Sequence, residues 1–301
     1  MKEKLEVIKL KGEIFIGRLK MIIVVLIILL EIFIIGKFIM DKNLLNLQPI
    51  GPKIAVVNFN KEVTTPYVNK IMEDIDLALE NKEYKELLFI MNSPGGSPTA
   101  SEELSEYLKN IKSKIKITMY IQSMAASGGY YIASSIKPLI ANKNAIVGSI
   151  GVIMPHYNLG DLAKKIGIEE DDLSSGEYKK PISFFKKIDS KNKEYLTKQI
   201  LTPMYNNFLN SVAKNRGVSL EKIKTVAEGK IYLANNVEIK NILIDDISSL
   251  YKVKKEITKK YKGIKFYSII KNKSSGLFGN SNINLDLNLK GLLNNTTGEI
   301  K

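Results

Sequence analysis

Residues 87–96, LLFIMNSPGG, and residues 115–131, IKITMYIQSMAASGGYY, each carry an apolar β-rich run into a glycine-bearing turn. Glycines placed there admit positive φ and remove the Cβ, so backbone N–H groups can approach a ligand closely. In open α/β sheets, ligands bind where strands end at their carboxyl side. The pair therefore reads as an oxyanion hole in the SPGG turn facing a serine nucleophile, Ser127.

Working outward, short β-rich runs alternate with amphipathic helices from Lys53 onward, which predicts an α/β domain with mostly parallel pairing. Strands are expected at Ile54–Phe59, Leu87–Met91 and Ile115–Ile121, and a further β-like segment at Ile146–Ile153. Pro66 opens a helix with Val68, Ile71, Met72, Ile75 and Leu79 on one face, and Thr99–Ile111 forms the next. Ser127 then falls at the start of a helix, where a serine can also act as an N-cap. Downstream, Leu159–Ile166 reads as a short helix, Asp171–Pro181 as a polar loop, and Lys191–Asn215 as a helix with a core- or oligomer-facing stripe. Val218–Glu228 is helical, Lys230–Leu233 turns into a strand, and Ile242–Ile247 is a last apolar run before a lysine-rich helix.

Residues 21–40, MIIVVLIILLEIFIIGKFIM, are long enough at about 1.5 Å per residue to cross a hydrocarbon layer, with Glu31 as their single acidic defect. Lys2, Lys4, Lys9, Lys11, Arg18 and Lys20 precede them, which predicts a cytoplasmic N-terminus and an outer location for everything that follows. A cleavable signal peptide is the competing reading, but Asp41-Lys42-Asn43-Leu44-Leu45 lacks the small residues a signal peptidase requires. The expected organisation is a basic segment (1–20), an anchor (21–40), a linker (41–52), an α/β domain (53–271) and a polar flexible tail (272–301).

Composition narrows the chemistry. The 301 residues include no cysteine and one histidine, His156, so thiol catalysis and disulfides are excluded and an imidazole base has one candidate. The net charge of +14 comes from lysines spread over helical faces, without a nucleic-acid-binding motif. Solvated faces are the plain reading and attraction to anionic lipid the sharper one; nucleic acid is not an expected partner. No Walker loop, dinucleotide fingerprint or metal-ligand cluster is present in the sequence, so no cofactor and no metal are expected.

A serine hydroxyl attacks a peptide carbonyl only with a base in reach and donors waiting for the oxyanion. Lysine serves if its surroundings let it lose its proton, and the candidate is Lys179 in SSGEYKKP, residues 174–181. A lysine base predicts activity that rises toward alkaline pH.

Taken in order, SPGG, SMAASGGYYIA, VGSIGV, SGEYK and AEGKIY resemble the short-form signal peptide peptidase A family, peptidase family S49. The similarity runs from about Lys53 to Leu250. It implies a ClpP/crotonase-like repeated ββα superhelix behind an N-terminal transmembrane helix. It further implies Ser127 as nucleophile, Lys179 as general base and Ser149 as the hydroxyl that orients the lysine. The oxyanion would be held by the N–H of Gly96 with that of Ser127 or Gly128. The family also implies a homo-oligomer with sites shared between subunits, acting on signal peptides or similar apolar peptides at the bacterial cytoplasmic membrane. Two departures stand out: Lys180 follows Lys179 where an acidic residue is usual, and Leu233-Ala234 replaces a usual glycine.

Other readings remain open at the level of sequence. His156 could serve as base in a ClpP-like Ser–His peptidase. A non-proteolytic membrane scaffold or an acyl-CoA-binding crotonase would keep the same fold.

Overall fold

The computed structural model describes residues 2–41, 52–261 and 263–270. The predicted tail at 272–301 and nearly all of the predicted linker lie outside them. The chain divides into two compact units, Met1–Ile50 and Gly51–Lys301.

The first unit is one helix, α1 (Lys2–Asp41). It is longer than the expected 21–40, because nothing in the basic segment breaks it: Gly12 and Gly17 are the only weak helix formers there and proline is absent. Its stretch Ile14–Lys37 is long and apolar enough to cross a membrane.

The second unit starts with β1 (Lys53–Phe59), α2 (Thr65–Glu80), β2 (Tyr84–Ser93), α3 (Pro98–Ile111) and β3 (Lys116–Ala126). There follow α4 (Gly128–Ala133), β4 (Leu139–Ala141), β5 (Ile146–Gly148), α5 (Gly160–Lys165) and α6 (Ser190–Leu196). A π turn at Thr197–Leu201 joins α6 to α7 (Thr202–Arg216), and α8 (Leu220–Val226) and β6 (Ile231–Leu233) come next. A 3₁₀ turn at Val237–Ile239, β7 (Asp246–Ile247), α9 (Leu250–Lys260) and β8 (Lys265–Ser268) complete it.

The sheet runs β6-β5-β3-β2-β1-β8, with β4 bridging β3 and β7. Every pair is parallel except β5 with β6. Strand β3 serves two neighbours on one edge: Met119–Ile121 pair with β4 and Met124–Ala126 with β5. That fork extends β3 five residues past the expected Ile121 and delivers its end to Ser127. The expected strand Ile146–Ile153 stops at Gly148, where positive φ at Gly148 and Ser149 ends the pleat.

The central strands are buried on both faces. Ala55, Val57, Phe59, Phe89, Met91 and Ile121 pack into the larger core with α2, α3 and α7, through residues such as Ile71, Leu104 and Val212. Ile54, Val56, Leu88, Ile90 and Tyr120 pack on the other face against Val253 and Ile257 of α9. At about 25 cal/mol per Å², this two-sided burial is the main favourable contribution to folding. The apolar stripe expected over Lys191–Asn215 splits at the π turn: Phe208, Leu209 and Val212 are buried, whereas Ile200 is exposed. A buried ion pair ties the layers together, with Arg216 Nη2 2.6 Å from Asp245 Oδ1 and the Leu139 N–H donating to Asp245 Oδ2 at 2.6 Å.

Candidate active site

Pairing of Ser93 with Ala125 brings the ends of β2 and β3 together, so the two glycine turns lie side by side. The segment after β1 straps the first turn: Val63 N–H donates to Gly95 O at 2.7 Å and Ser97 N–H to Val63 O at 2.8 Å. Gly95 N–H donates to the buried Ser93 Oγ at 3.2 Å. With φ of 107° and 145°, Gly95 and Gly96 hold conformations that side chains rarely adopt. A Cβ on Gly95 would stand 2.8 Å from both Ala126 O and Ser127 Cβ, and one on Gly96 would run into Val63 O. Only glycine allows the first turn to lie this close to the second.

Ser127 sits between β3 and α4 at φ 50°, ψ −124°. Its hydroxyl caps nothing, so the N-cap role open to a serine here is not taken. Its own N–H is engaged by Gly148 O at 2.9 Å. Among the described residues, neither the Gly96 N–H nor the Gly128 N–H donates to a protein acceptor, and Gly96 N lies 3.4 Å from where a Gly128 Cβ would be. Two unclaimed amides thus lie close together in the turns that flank the half-buried Ser127, and amides so placed are suited to holding negative charge if they point at one oxygen.

Tyr130 and Tyr131, which follow the turn, are packing residues. Tyr130 is fully buried and donates to Leu243 O at 2.8 Å, and burial pushes its phenol well above the usual range. Tyr131 bonds Ser211 Oγ at 2.8 Å.

Ser149 lies next to this centre. Ala126 pairs with Gly148, so Ser127 and Ser149 each follow the last paired residue of adjacent parallel strands. Ser149 also has positive φ, 53°, and its N–H donates to Lys230 O at 2.7 Å. Two residues on, Gly151 opens a mainly apolar cleft of about 330 Å³, lined by Val152, Ile153, Leu201, Tyr205 and Glu228.

Lys179 lies in the exposed stretch 171–180, its N–H donating to Gly176 O at 3.1 Å. No hydrogen bond or ion pair among the described residues joins it to Ser127 or Ser149. It also has no carboxylate partner there, in contrast to Lys180, which lies 2.7 Å from Asp172 Oδ2 and 3.0 Å from Glu170 Oε1. Asp172 and then Glu170 raise the Lys180 pKa, while the Ser183 hydroxyl and Lys180 hold Glu170 well below the usual carboxylate range. His156 Nε2 is 2.8 Å from Ser183 O, within the same segment. This segment exposes large apolar side chains, among them Ile153, Tyr157, Leu173 and Phe184; Leu173 is 102% exposed.

Sequence reasoning picked out the two turns but not what shapes them. Ser101 Oγ donates to Ser97 O at 2.8 Å and occupies the place a Cβ on Gly128 would need. The signal for it was faint: serines at 101 and 105 interrupt the apolar face of a predicted helix. Nothing local announces that the carbonyls of Gly148 and Lys230 receive the amides of Ser127 and Ser149.

A mainly parallel sheet whose strand ends bring a positive-φ serine against a pair of glycine turns has a ClpP-like α/β architecture. Residues 52–149 match the family model described as Clp protease. Residues 109–264, just over half of the chain, match that of peptidase family S49, and the chain belongs to this family.

Three relatives give the scale of the similarity. A provisionally named protease of Synechocystis sp. is 36% identical over 155 residues, 52% of this chain and 56% of its own. One from Methanocaldococcus jannaschii is 33% identical over 183 residues, 61% of this chain and 57% of its own. Protease 4 of Haemophilus influenzae is 32% identical over 205 residues, 65% of this chain and 33% of its own. The chain therefore spans little more than half the length of the first two and a third of the last.

Proposed function

We infer that this chain is a membrane-anchored serine endopeptidase acting through a Ser–Lys dyad. The observation that carries the reading is the uncapped Ser127 hydroxyl at φ 50° beside the unclaimed amides of Gly96 and Gly128. In the proposed reaction Ser127 Oγ attacks the scissile carbonyl and its proton passes to Lys179 Nζ. Gly96 and Gly128 bind the oxyanion of the tetrahedral intermediate. Lys179 then protonates the leaving amine as the C–N bond breaks, giving an acyl-enzyme; it next takes a proton from the attacking water and returns it to Ser127 Oγ as the ester bond breaks.

Between the two adjacent lysines, Lys179 suits a base because Lys180 is already held by two carboxylates. Ser149 is the proposed orienting hydroxyl. Exposure of Lys179, on a segment rich in exposed apolar side chains, supports a site completed by a neighbouring copy of the chain. His156, by contrast, is engaged with a backbone carbonyl.

The proposed substrates are signal peptides and similar apolar peptides, bound extended by strand addition, with the domain outside the cytoplasmic membrane and the N-terminus within. Hydrolysis of a fluorogenic signal-peptide-like substrate tests the mechanism. Loss in Ser127→Ala and Lys179→Ala with retention in His156→Ala, each with its oligomer intact, is the expected result. Retention in Lys179→Ala with loss in His156→Ala moves the base to the imidazole, and an inactive wild type brings the scaffold reading forward.

A further inference from the structure

The parallel sheet has two chemically unlike ends. Lys53, Tyr84, Lys116 and Lys265 open β1, β2, β3 and β8 at one of them, and the glycine turns lie at the other. Helix α3 runs from Pro98 at the turn end to Ile111 at the entry end, and α9 finishes at Lys260 shortly before β8 begins.

The entry end is lysine-rich and exposed: Lys82, Lys85, Lys112, Lys114, Lys116 and Lys265 all face solvent. Its carboxylates do little to offset this. Glu83 is paired with Lys53, and Glu86 is fully buried, with Lys116 at 3.4 Å and Lys260 at 3.6 Å; Glu80 is exposed. At the turn end, by contrast, exposed Lys61 and Lys143 are offset by exposed Glu62, Glu102 and Glu103. Half-buried Tyr84 and Tyr261 stand among the lysines, aromatic residues of the kind favoured at a headgroup layer.

Connectivity links this end to lipid. The chain enters β1 at Lys53, and only residues 42–52 separate it from the apolar helix, a stretch that reaches no more than about 40 Å when fully extended. Lysines within about a Debye length, roughly 10 Å, of an anionic surface are attracted to it.

We propose that the lysine-bearing strand-entry end docks on anionic phospholipid headgroups and holds the glycine turns on the far side of the domain. This rests on the membrane-anchored reading of the chain.

The test uses the full chain. Because it lacks cysteine, single labels report without background. Ser113→Cys places a spin label in the exposed turn between Lys112 and Lys114, and Asn144→Cys places one beyond the carboxyl end of β4. Each is incorporated into vesicles of phosphatidylcholine alone or with added phosphatidylglycerol, doped with a nickel-chelating lipid that relaxes nearby labels.

Phosphatidylglycerol should raise relaxation at position 113 by at least about twofold and leave position 144 unchanged, and high salt should reverse the gain. Combining Lys85→Glu, Lys112→Glu and Lys114→Glu should abolish the gain while detergent-solubilised protein still cleaves a soluble peptide. Equal relaxation at 113 in both lipids, or a larger gain at 144, overturns docking alone. A chain that does not float with the vesicles overturns the anchor reading, and docking with it.

Discussion

Ser127 and Ser149 stand next to one another as the first residues beyond a single paired rung, Ala126 with Gly148, on adjacent parallel strands. Both are held at positive φ, 50° and 53°, and each has its N–H fixed by a carbonyl from another segment, Gly148 O and Lys230 O. Positive φ in a side-chain-bearing residue costs on the order of 1 kcal/mol or more, so two such residues at one sheet end mark the place where the fold gives up stability for geometry.

That cost gives the first prediction. Ser127→Gly should be more stable than Ser127→Ala by about 1 kcal/mol, because glycine relieves the backbone while alanine does not. Both should lower kcat by more than about 10⁴-fold. Urea denaturation alongside single-turnover hydrolysis separates the two effects.

A second prediction concerns the contact between α3 and α4. Gly128→Ala should destabilise by about 2 kcal/mol, since the new Cβ meets Ser101 Oγ. Adding Ser101→Ala should recover about half of the loss, as the Ser101 Cβ lies at an ordinary 3.5 Å. Strict additivity in the double-mutant cycle would show that the clash is relieved elsewhere.

The third prediction is a dependence on acid. Glu170 titrates near pH 4.5 when unfolded and lower in the fold, so its contribution is complete above that value and is lost as pH falls toward 2. Backbone protection around residues 168–184, corrected for intrinsic exchange, should therefore drop about two- to fivefold on acidification. Glu170→Gln should show the lower protection already at neutral pH and no further acid step.

Fourth, Asp245→Asn should cost about 3 kcal/mol, because it leaves the buried Arg216 without its counter-charge. Burial pushes the Asp245 carboxyl up, but the Leu139 N–H and the guanidinium outweigh it and lower its pKa overall. Arg216→Met should cost less, and comparison of urea midpoints decides between them.

Much of the site was legible because its parts are local. LLFIMNSPGG and AASGG carry strand, turn and small residues in one short stretch each, so the two turns could be picked out and lie together; the roles of Gly96, Ser127 and Gly128 come from the resemblance and stay proposals. Strand pairing was less so: the fork that lengthens β3 to Ala126 depends on β4 and β5, neither of which leaves a trace in residues 122–126. Lys179 was named from its motif, but the pairing that sets Lys180 apart from it was not legible. It arises from Glu170 and Asp172, whose turn brings them to one lysine and not its neighbour. The antiparallel pairing of β6 on β5 escaped for the same reason, since three residues carry too little pattern to fix direction.

The π turn at Thr197–Leu201 has a consequence for phase. It adds one residue to a helix that is otherwise α-helical from Ser190 to Arg216, so the two halves follow separate angular registers. Were the same residues all wound as α-helix, everything before the turn would rotate by about 100°. Leu196 would then swing out of the core, whereas with the turn it stays buried. The joint works as a slack link: it holds one spare residue, and losing that residue would shorten the chain without turning either half away from the core.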